Sequence, residues 1–368
     1  MAEIMCLDRV LDQKIPKRIL SGALEKNLLA SAYLFYGAQG TGKWAMALEL
    51  AKAVNCERSQ AEACDVCPSC QKIEKMVHPD VKMIFPIPSA RSEEKTLKEI
   101  ERYKELKREE PYTIVRFEKS INIPVDQIRG LQKEICLKPF EGRRTVVIIA
   151  EAENMHASSA NSLLKTLEEP PNDTNLILTS NDANKLLPTV VSRCQQIRFD
   201  SIPPKVIEEE LAQKYNVDKE KASYFANICN GSYGRALDFL RGEKESLRKD
   251  ALNLAAVAAG GKTSHIIQMV SLMLDRWDKN SILEMFEFLM SVFRDIYMIQ
   301  QGWSQLINAD VKTDVVKLSK KFERQNKAER AFRAIDQIKT DCQIRNANLK
   351  LSLLSLCLRI KGLSRREA

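Results

Sequence analysis

The chain contains no apolar run near the ~20 residues that a membrane-spanning helix needs, and Met1–Lys14 lacks the apolar stretch of a secretory signal. Thirteen glycines and thirteen prolines in 368 residues are too few for a fibrous or low-complexity chain. Aromatic residues make up only 6%, and they form no platform on which bases could stack, so sequence-specific nucleic-acid readout is not expected. No internal repeat is detectable. What remains is an ordinary globular balance of 44% hydrophobic and 29% charged residues, which excludes a disordered chain and suits roughly two or three domains. A soluble, cytoplasmic protein is expected.

Ten cysteines in a chain without a secretory signal should stay reduced, which favours metal binding or simple burial over disulfides. Cys56, Cys64, Cys67 and Cys70 fall together with the spacing C-x7-C-x2-C-x2-C. Zn²⁺ prefers four thiolates in a tetrahedron, and paired Cys-x2-Cys turns bend readily around one ion. Four protein ligands leave no open position, so such a zinc would be structural; buried free thiols or a redox pair are the other readings. His78, in the turn-like run His78-Pro79-Asp80, is the only plausible substitute ligand.

Charge is unevenly placed. Residues 246–368 hold 21 Lys+Arg against 13 Asp+Glu, while residues 1–245 hold 36 of each, so the whole surplus of +8 sits in the last third. That asymmetry fits a polyanionic partner, or simply a solvated basic helix face.

Short apolar or β-branched runs at Ala32–Tyr36, Val81–Ile84, Thr113–Phe117, Thr145–Ala150 and Asn175–Thr179 alternate with helical patterns at Lys43–Asn55, Pro124–Cys136 and Ser158–Leu167. Alternation of this kind predicts an α/β domain with a parallel sheet. Ser92–Glu110, polar almost throughout, reads as an inserted, exposed helix. Beyond Pro203-Pro204 only helices are expected: Lys205–Tyr215, Lys221–Cys229, Ile282–Ile299, Val311–Thr340 and Asn346–Ile360. The plan is an α/β domain over 1–200, a small helical domain over 201–245 and a larger basic helical domain over 246–368.

Gly37-Ala38-Gln39-Gly40-Thr41-Gly42-Lys43 follows a strand and opens a helix, the context of a phosphate-binding loop. Its glycines, Gly37, Gly40 and Gly42, let backbone N–H groups, that of Thr41 among them, turn toward phosphate oxygens, and Lys43 would meet the β and γ phosphates. Two absences spoil the site. The Mg²⁺-ligating Ser or Thr expected after Lys43 is replaced by Trp44, and the Asp of the second motif (hhhhDE) is replaced by Ala150, leaving Glu151 alone. Hydrolysis is therefore expected to be very slow, with ATP or ADP binding left open by the retained loop and Lys43.

A phosphate loop, a helix and then a four-cysteine module before the second strand resembles the clamp-loader branch of the AAA+ family, found in bacterial DNA polymerase III subunits. Leu163–Pro171 (LLKTLEEPP), Ser192-Arg193-Cys194, Gly231–Leu237 (GSYGRAL) and Asn346–Leu351 (NANLKL) are similar to further segments of that family. The resemblance implies an AAA+ domain with an inserted zinc module, a helical lid and an all-α collar. It implies that Asn181 and Arg235 are the two sensors, and that Arg193 is an arginine finger serving a neighbour's site in trans. ATP-hydrolysing gamma and tau subunits keep both Mg²⁺-handling residues; this chain keeps neither, and looks like the delta prime type, a largely rigid stator. The implied partners are gamma/tau and delta subunits in a hetero-oligomeric ring, the sliding clamp and primer–template DNA, with no membrane. A hydrolysing gamma-type subunit, or a zinc-dependent nucleic-acid-binding protein with a vestigial loop, are the competing readings.

Overall fold

The computed structural model describes residues 7–59, 61–88, 93–117, 120–242, 245–303, 306–322, 326–345 and 347–364. Ser92 and Asn346, which figure in the sequence reading, lie outside the described residues. The chain divides into two compact units, one of Met1–Val206 with Gly231–Arg235, the other of Ile207–Asn230 with Ala236–Ala368.

The first unit holds strands β1 (Ala32–Gly37), β2 (Val81–Ile84), β3 (Ile87–Pro88), β4 (Ile121–Asn122), β5 (Thr145–Ile149), β6 (Thr174–Ser180) and β7 (Gln195–Phe199). Its helices are α1 (Lys14–Glu25), α2 (Lys43–Asn55), α3 (Pro68–Glu74), α4 (Glu93–Glu109), α5 (Val125–Ile135), α6 (Ala157–Glu168) and the short α7 (Pro188–Val191). Five strands form one parallel sheet in the order β2-β5-β6-β1-β7. Parallel neighbours need crossover connections, which the helices between them supply. Burial on both faces explains why β5 (TVVII) and β6 (TNLILTS) are buried at every position and show no polar alternation. Helix α2 is buried along all thirteen residues, so the element that follows the phosphate loop lies inside the unit.

Because the strands run in one direction, the ends of β1, β5 and β6 emerge on the same edge of the sheet. That placement brings the phosphate loop, Ala150-Glu151 and Asn181 together, the usual location of ligand sites in open α/β sheets.

Three sequence expectations need correction. Thr113–Phe117 forms no strand; Ile114 and Val115 are buried in a loop, and among the described residues the further ladder is the small antiparallel pair β3–β4. Glu93–Glu109 is a helix, as its pattern suggests, and most of its side chains are exposed or half-buried, but Tyr103 and Lys107 on one face are buried. The long helix expected over Val311–Thr340 is interrupted by a tight turn at Lys320–Phe322.

The described residues of the second unit are helical: α8 (Pro204–Tyr215) and α10 (Tyr233–Leu240), both of which begin in the first unit, with α9 (Lys219–Ile228), α11 (Glu245–Gly260), α12 (Thr263–Arg276), α13 (Lys279–Gln300), α14 (Lys312–Ser319), α15 (Lys327–Ile344) and α16 (Leu349–Ser364). Helix α13 runs through its core, burying Phe286, Leu289, Phe293 and Ile296 at helical spacing. Among the described residues no helix is long and apolar enough to cross a membrane.

Candidate functional site

The phosphate loop has the backbone its glycines permit. Gly40 and Gly42 sit at φ +75° and +101°, the left-handed region that a side chain disfavours. Space reinforces this: a Cβ on Gly40 would lie 2.4 Å from Ser232 Oγ, and one on Gly42 would lie 3.0 Å from the Tyr112 ring. The loop is therefore packed over by its own chain. Ser232 donates to the carbonyl of Gln39 (2.7 Å), and the N–H of Gly234 donates to the carbonyl of Gly40 (3.2 Å).

Lys43 does not reach outward. Its ammonium donates to the carbonyls of Gly37 (2.7 Å) and Ala38 (2.6 Å), folding back onto the loop that would hold a phosphate. Burial pushes its pKa down to about 7, against the opposing pull of Glu153 and Glu151 and with the help of Lys107. Thr41 is fully buried, its hydroxyl donating to the carbonyl of Ala38 (2.8 Å).

The inserted helix α4 covers what is left. Trp44 packs on Phe85 (5.3 Å between ring centres) and Phe85 on Tyr103 (4.4 Å), a row of rings that runs from the loop helix to the insertion. Lys107, beside the Trp44 and Tyr103 rings, donates to the carbonyl of Thr113 (2.7 Å). Burial lowers its pKa to about 8, with Glu151 and Glu110 opposing. The Tyr112 hydroxyl accepts from the N–H of Leu11 (2.7 Å), which closes the mouth next to Gly42. The remaining cavity is about 40 Å³, lined by Lys43, Trp44, Tyr103, Lys107, Tyr112 and Glu151 among others. Small-molecule pockets usually span ~300–1,000 Å³, so this space is the size of a few waters and not of a nucleotide.

Ala150, Glu151 and Asn181 follow the ends of β5 and β6, and Arg235 lies on α10. Ala150 is buried and offers no ligand atom; Glu151 follows in a left-handed conformation (φ +48°), its N–H donating to Thr179 Oγ1 (3.1 Å). Burial raises its carboxyl pKa, with Lys107 acting against the rise, and Tyr103 donates to it at 3.4 Å. Asn181 lines the cavity and donates its backbone N–H to Glu153 (3.0 Å). Arg235 stands at the start of α10, its N–H on Ser232 Oγ (3.3 Å).

Arg193 is elsewhere, between the end of α7 and β7. Cys194 is anchored in the core, where burial drives its thiol up to about 12, and the neighbouring Arg193 side chain is carried outward. Its guanidinium pairs with Glu168 (2.5 Å), at the end of α6, and donates to the carbonyl of Thr189 (2.9 Å), with about a third of the side chain exposed. An arginine held from behind in this way can present its remaining N–H groups to an anion.

The four cysteines converge. One sulfur from each of Cys56, Cys64, Cys67 and Cys70 lies within 4.8 Å of all the others, three of the residues buried and Cys64 half-buried. The N–H of Cys67 points at Cys64 Sγ and that of Cys70 at Cys67 Sγ (3.4 Å each), donors suited to sulfur that carries negative charge. Desolvation raises the Cys64 thiol, but the N–H groups of Val66 and Cys67 outweigh it and bring it down to about 6. Donor set, count and convergence fit a tetrahedral zinc. His78 is not part of the group. Its Nδ1 accepts from the N–H of Asp80 (3.1 Å) and its Nε2 faces Ser69 Oγ (3.1 Å), so the ring is a buried strut.

Sequence reasoning missed the residues that fill the phosphate site: Tyr103, Lys107, Tyr112 and Ser232. Tyr103, Lys107 and Glu110 are spaced as one helical row and all three are buried, but apolar periodicity does not mark that row because two of its members are charged.

Residues 12–203 match the profile of a family described as "DNA polymerase III, delta subunit", and residues 248–362 match one described as "DNA polymerase III, delta subunit, C terminal". Subunit delta' of DNA polymerase III from Bacillus subtilis is 30% identical over 287 residues, 77% of each chain. The delta' subunit from Pseudomonas aeruginosa is 38% identical over 168 residues, 45% of this chain and 42% of that one. Subunit tau from Escherichia coli is 29% identical over 272 residues, which are 73% of this chain but 35% of tau. With one family profile covering more than half of its residues, and a delta' relative matched along three-quarters of both sequences, the chain belongs to the DNA polymerase III delta' family.

Proposed function

We propose that this chain is the non-hydrolysing stator of a clamp loader, holding a ring of related ATPase subunits and donating Arg193 to a neighbour's ATP. The observation that carries this reading is the filled phosphate site. With Lys43 bonded to its own loop, Trp44 and Ala150 in place of Mg²⁺-handling groups, and α4 laid over the mouth, about 40 Å³ is left where a nucleotide would need several hundred. Neither metal nor γ-phosphate would be held, so the chain contributes to hydrolysis only across an interface. Titration of ATP or ADP into the isolated chain should give no saturable binding up to roughly 1 mM. Micromolar binding would contradict the reading.

On the same reading residues 1–200 are the AAA+ domain, 201–245 the lid and 246–368 the collar that holds the ring. The partners are gamma/tau and delta subunits, with the sliding clamp and primer–template DNA as the assembly's targets in the cytoplasm. The basic surplus of residues 246–368 would add to the field that draws DNA toward the assembly, an effect that salt should weaken steeply. Asn181 and Arg235, facing a filled site, would keep packing roles. Cys56, Cys64, Cys67 and Cys70 would hold one structural zinc, which when bound cross-links the end of α2 to α3. Metal analysis of the purified chain should return one zinc per molecule, and none after the cysteines are replaced by serine.

A further inference from the structure

We infer that Lys52 is the positioning residue of the four-cysteine site: its buried ammonium ties together the segments that carry the four sulfurs. This rests on the zinc reading above. Lys52 lies on α2, one turn before Cys56, and its side chain is 1% exposed. It pairs with Glu49 on its own helix, with Asp65 (2.8 Å) and with Glu74 (2.7 Å). Asp65 sits between Cys64 and Cys67, in a left-handed conformation (φ +58°) that shapes the turn. Glu74 ends α3, the helix that Cys67 caps and that contains Cys70. One nitrogen therefore joins the helix leading to Cys56, the turn between Cys64 and Cys67, and the helix bearing Cys70. Arg9 holds the other oxygen of Asp65 (2.8 Å), fixing the turn from the opposite side.

Glu49, Asp65 and Glu74 by themselves resemble a carboxylate metal site, their oxygens lying within 4.8 Å of one another. The Lys52 ammonium already supplies the cation these oxygens require, so the group is a strut and not a second metal centre. A buried charge pair is a poor source of net stability, but it fixes geometry strongly, because removing one partner strands the others. Preassembly of the sulfurs is where that rigidity acts, and partners behind the ligands commonly change metal affinity by about 10–100-fold.

The test compares the full chain with Lys52→Met, Lys52→Arg and Asp65→Asn. Zinc release to a chromophoric chelator and the ligand-field spectrum of the cobalt(II) form are the readouts. Lys52→Met and Asp65→Asn should release zinc about 10–100-fold faster than wild type, with a weakened tetrahedral cobalt band; Lys52→Arg, which keeps a cation, should stay close to wild type. Asp65→Asn alters a side chain that is 18% exposed, and it keeps the test readable if Lys52→Met does not fold. Wild-type release rates and spectra in both variants would overturn the inference. A wild-type chain that takes up no zinc would instead overturn the four-cysteine reading beneath it.

Discussion

Arg193→Ala is expected to slow hydrolysis at one ATP site of the assembled ring by about 10³-fold, the lower end of what an arginine finger contributes in phosphoryl transfer. The effect is large because a guanidinium offsets charge that spreads over the equatorial oxygens only as the transition state forms, so kcat should fall while ATP affinity changes little. Arg193→Lys should recover only part of the loss, since an ammonium keeps the charge but loses the planar fork. Glu168→Gln should cost far less. The Arg193–Glu168 pair is about a third to a half exposed, and exposed pairs are worth under about 1 kcal/mol, a change of fivefold or less. Single-turnover hydrolysis in the reconstituted ring reads all three variants, with the affected site seen as a separate slow phase. Equal rates in wild type and Arg193→Ala would remove the trans role.

Removing the metal should produce the second large effect. Four buried or half-buried sulfurs drawn together at the end of α2 are a poor arrangement without a cation, and structural zinc contributes directly to folding free energy. Chelation, or Cys67→Ser, should cost the first unit about 3 kcal/mol or more, which for a unit of this size lowers its melting temperature by roughly 6–12 °C. The helical second unit has a core of its own, centred on α13, and its melting should not move. Differential scanning calorimetry with and without chelator separates the two. A uniform shift of both transitions, or none, would contradict a structural zinc confined to the first unit.

The sequence made the chemistry of the loop legible and left its covering hidden. Glycine spacing, Trp44 and Ala150 carry the reading of a degenerate site through residue identity alone. The closure depends on α4, whose polar composition hides the buried Tyr103 and Lys107, with Glu110 buried just past its end. Apolar periodicity cannot register a lysine buried among carbonyls and aromatic rings, where hydrogen bonds to Thr113 and Pro111 replace water. Thr113–Phe117 misled in the opposite way. Its β-branched residues read as a strand, but β propensity records fit to a half-buried surface, and here that surface is a loop. The parallel sheet, by contrast, was readable because β5 and β6 are buried on both faces, and β5 carries the unbroken apolar run Val146–Ile149. The cysteines were legible as a group, while Lys52, an unremarkable lysine in sequence, gains its role only from Asp65 and Glu74 in space.

On the stator reading this phosphate-loop protein does not hydrolyse ATP itself. Steady-state ATP turnover by the purified chain, with Mg²⁺ and beside its Lys43→Ala variant, tests it most directly. The structure predicts no turnover above background and no difference between the two proteins. Mg²⁺-dependent turnover that Lys43→Ala abolishes would mean that Trp44, Ala150 and the covering helix are compatible with catalysis, and would contradict the stator account.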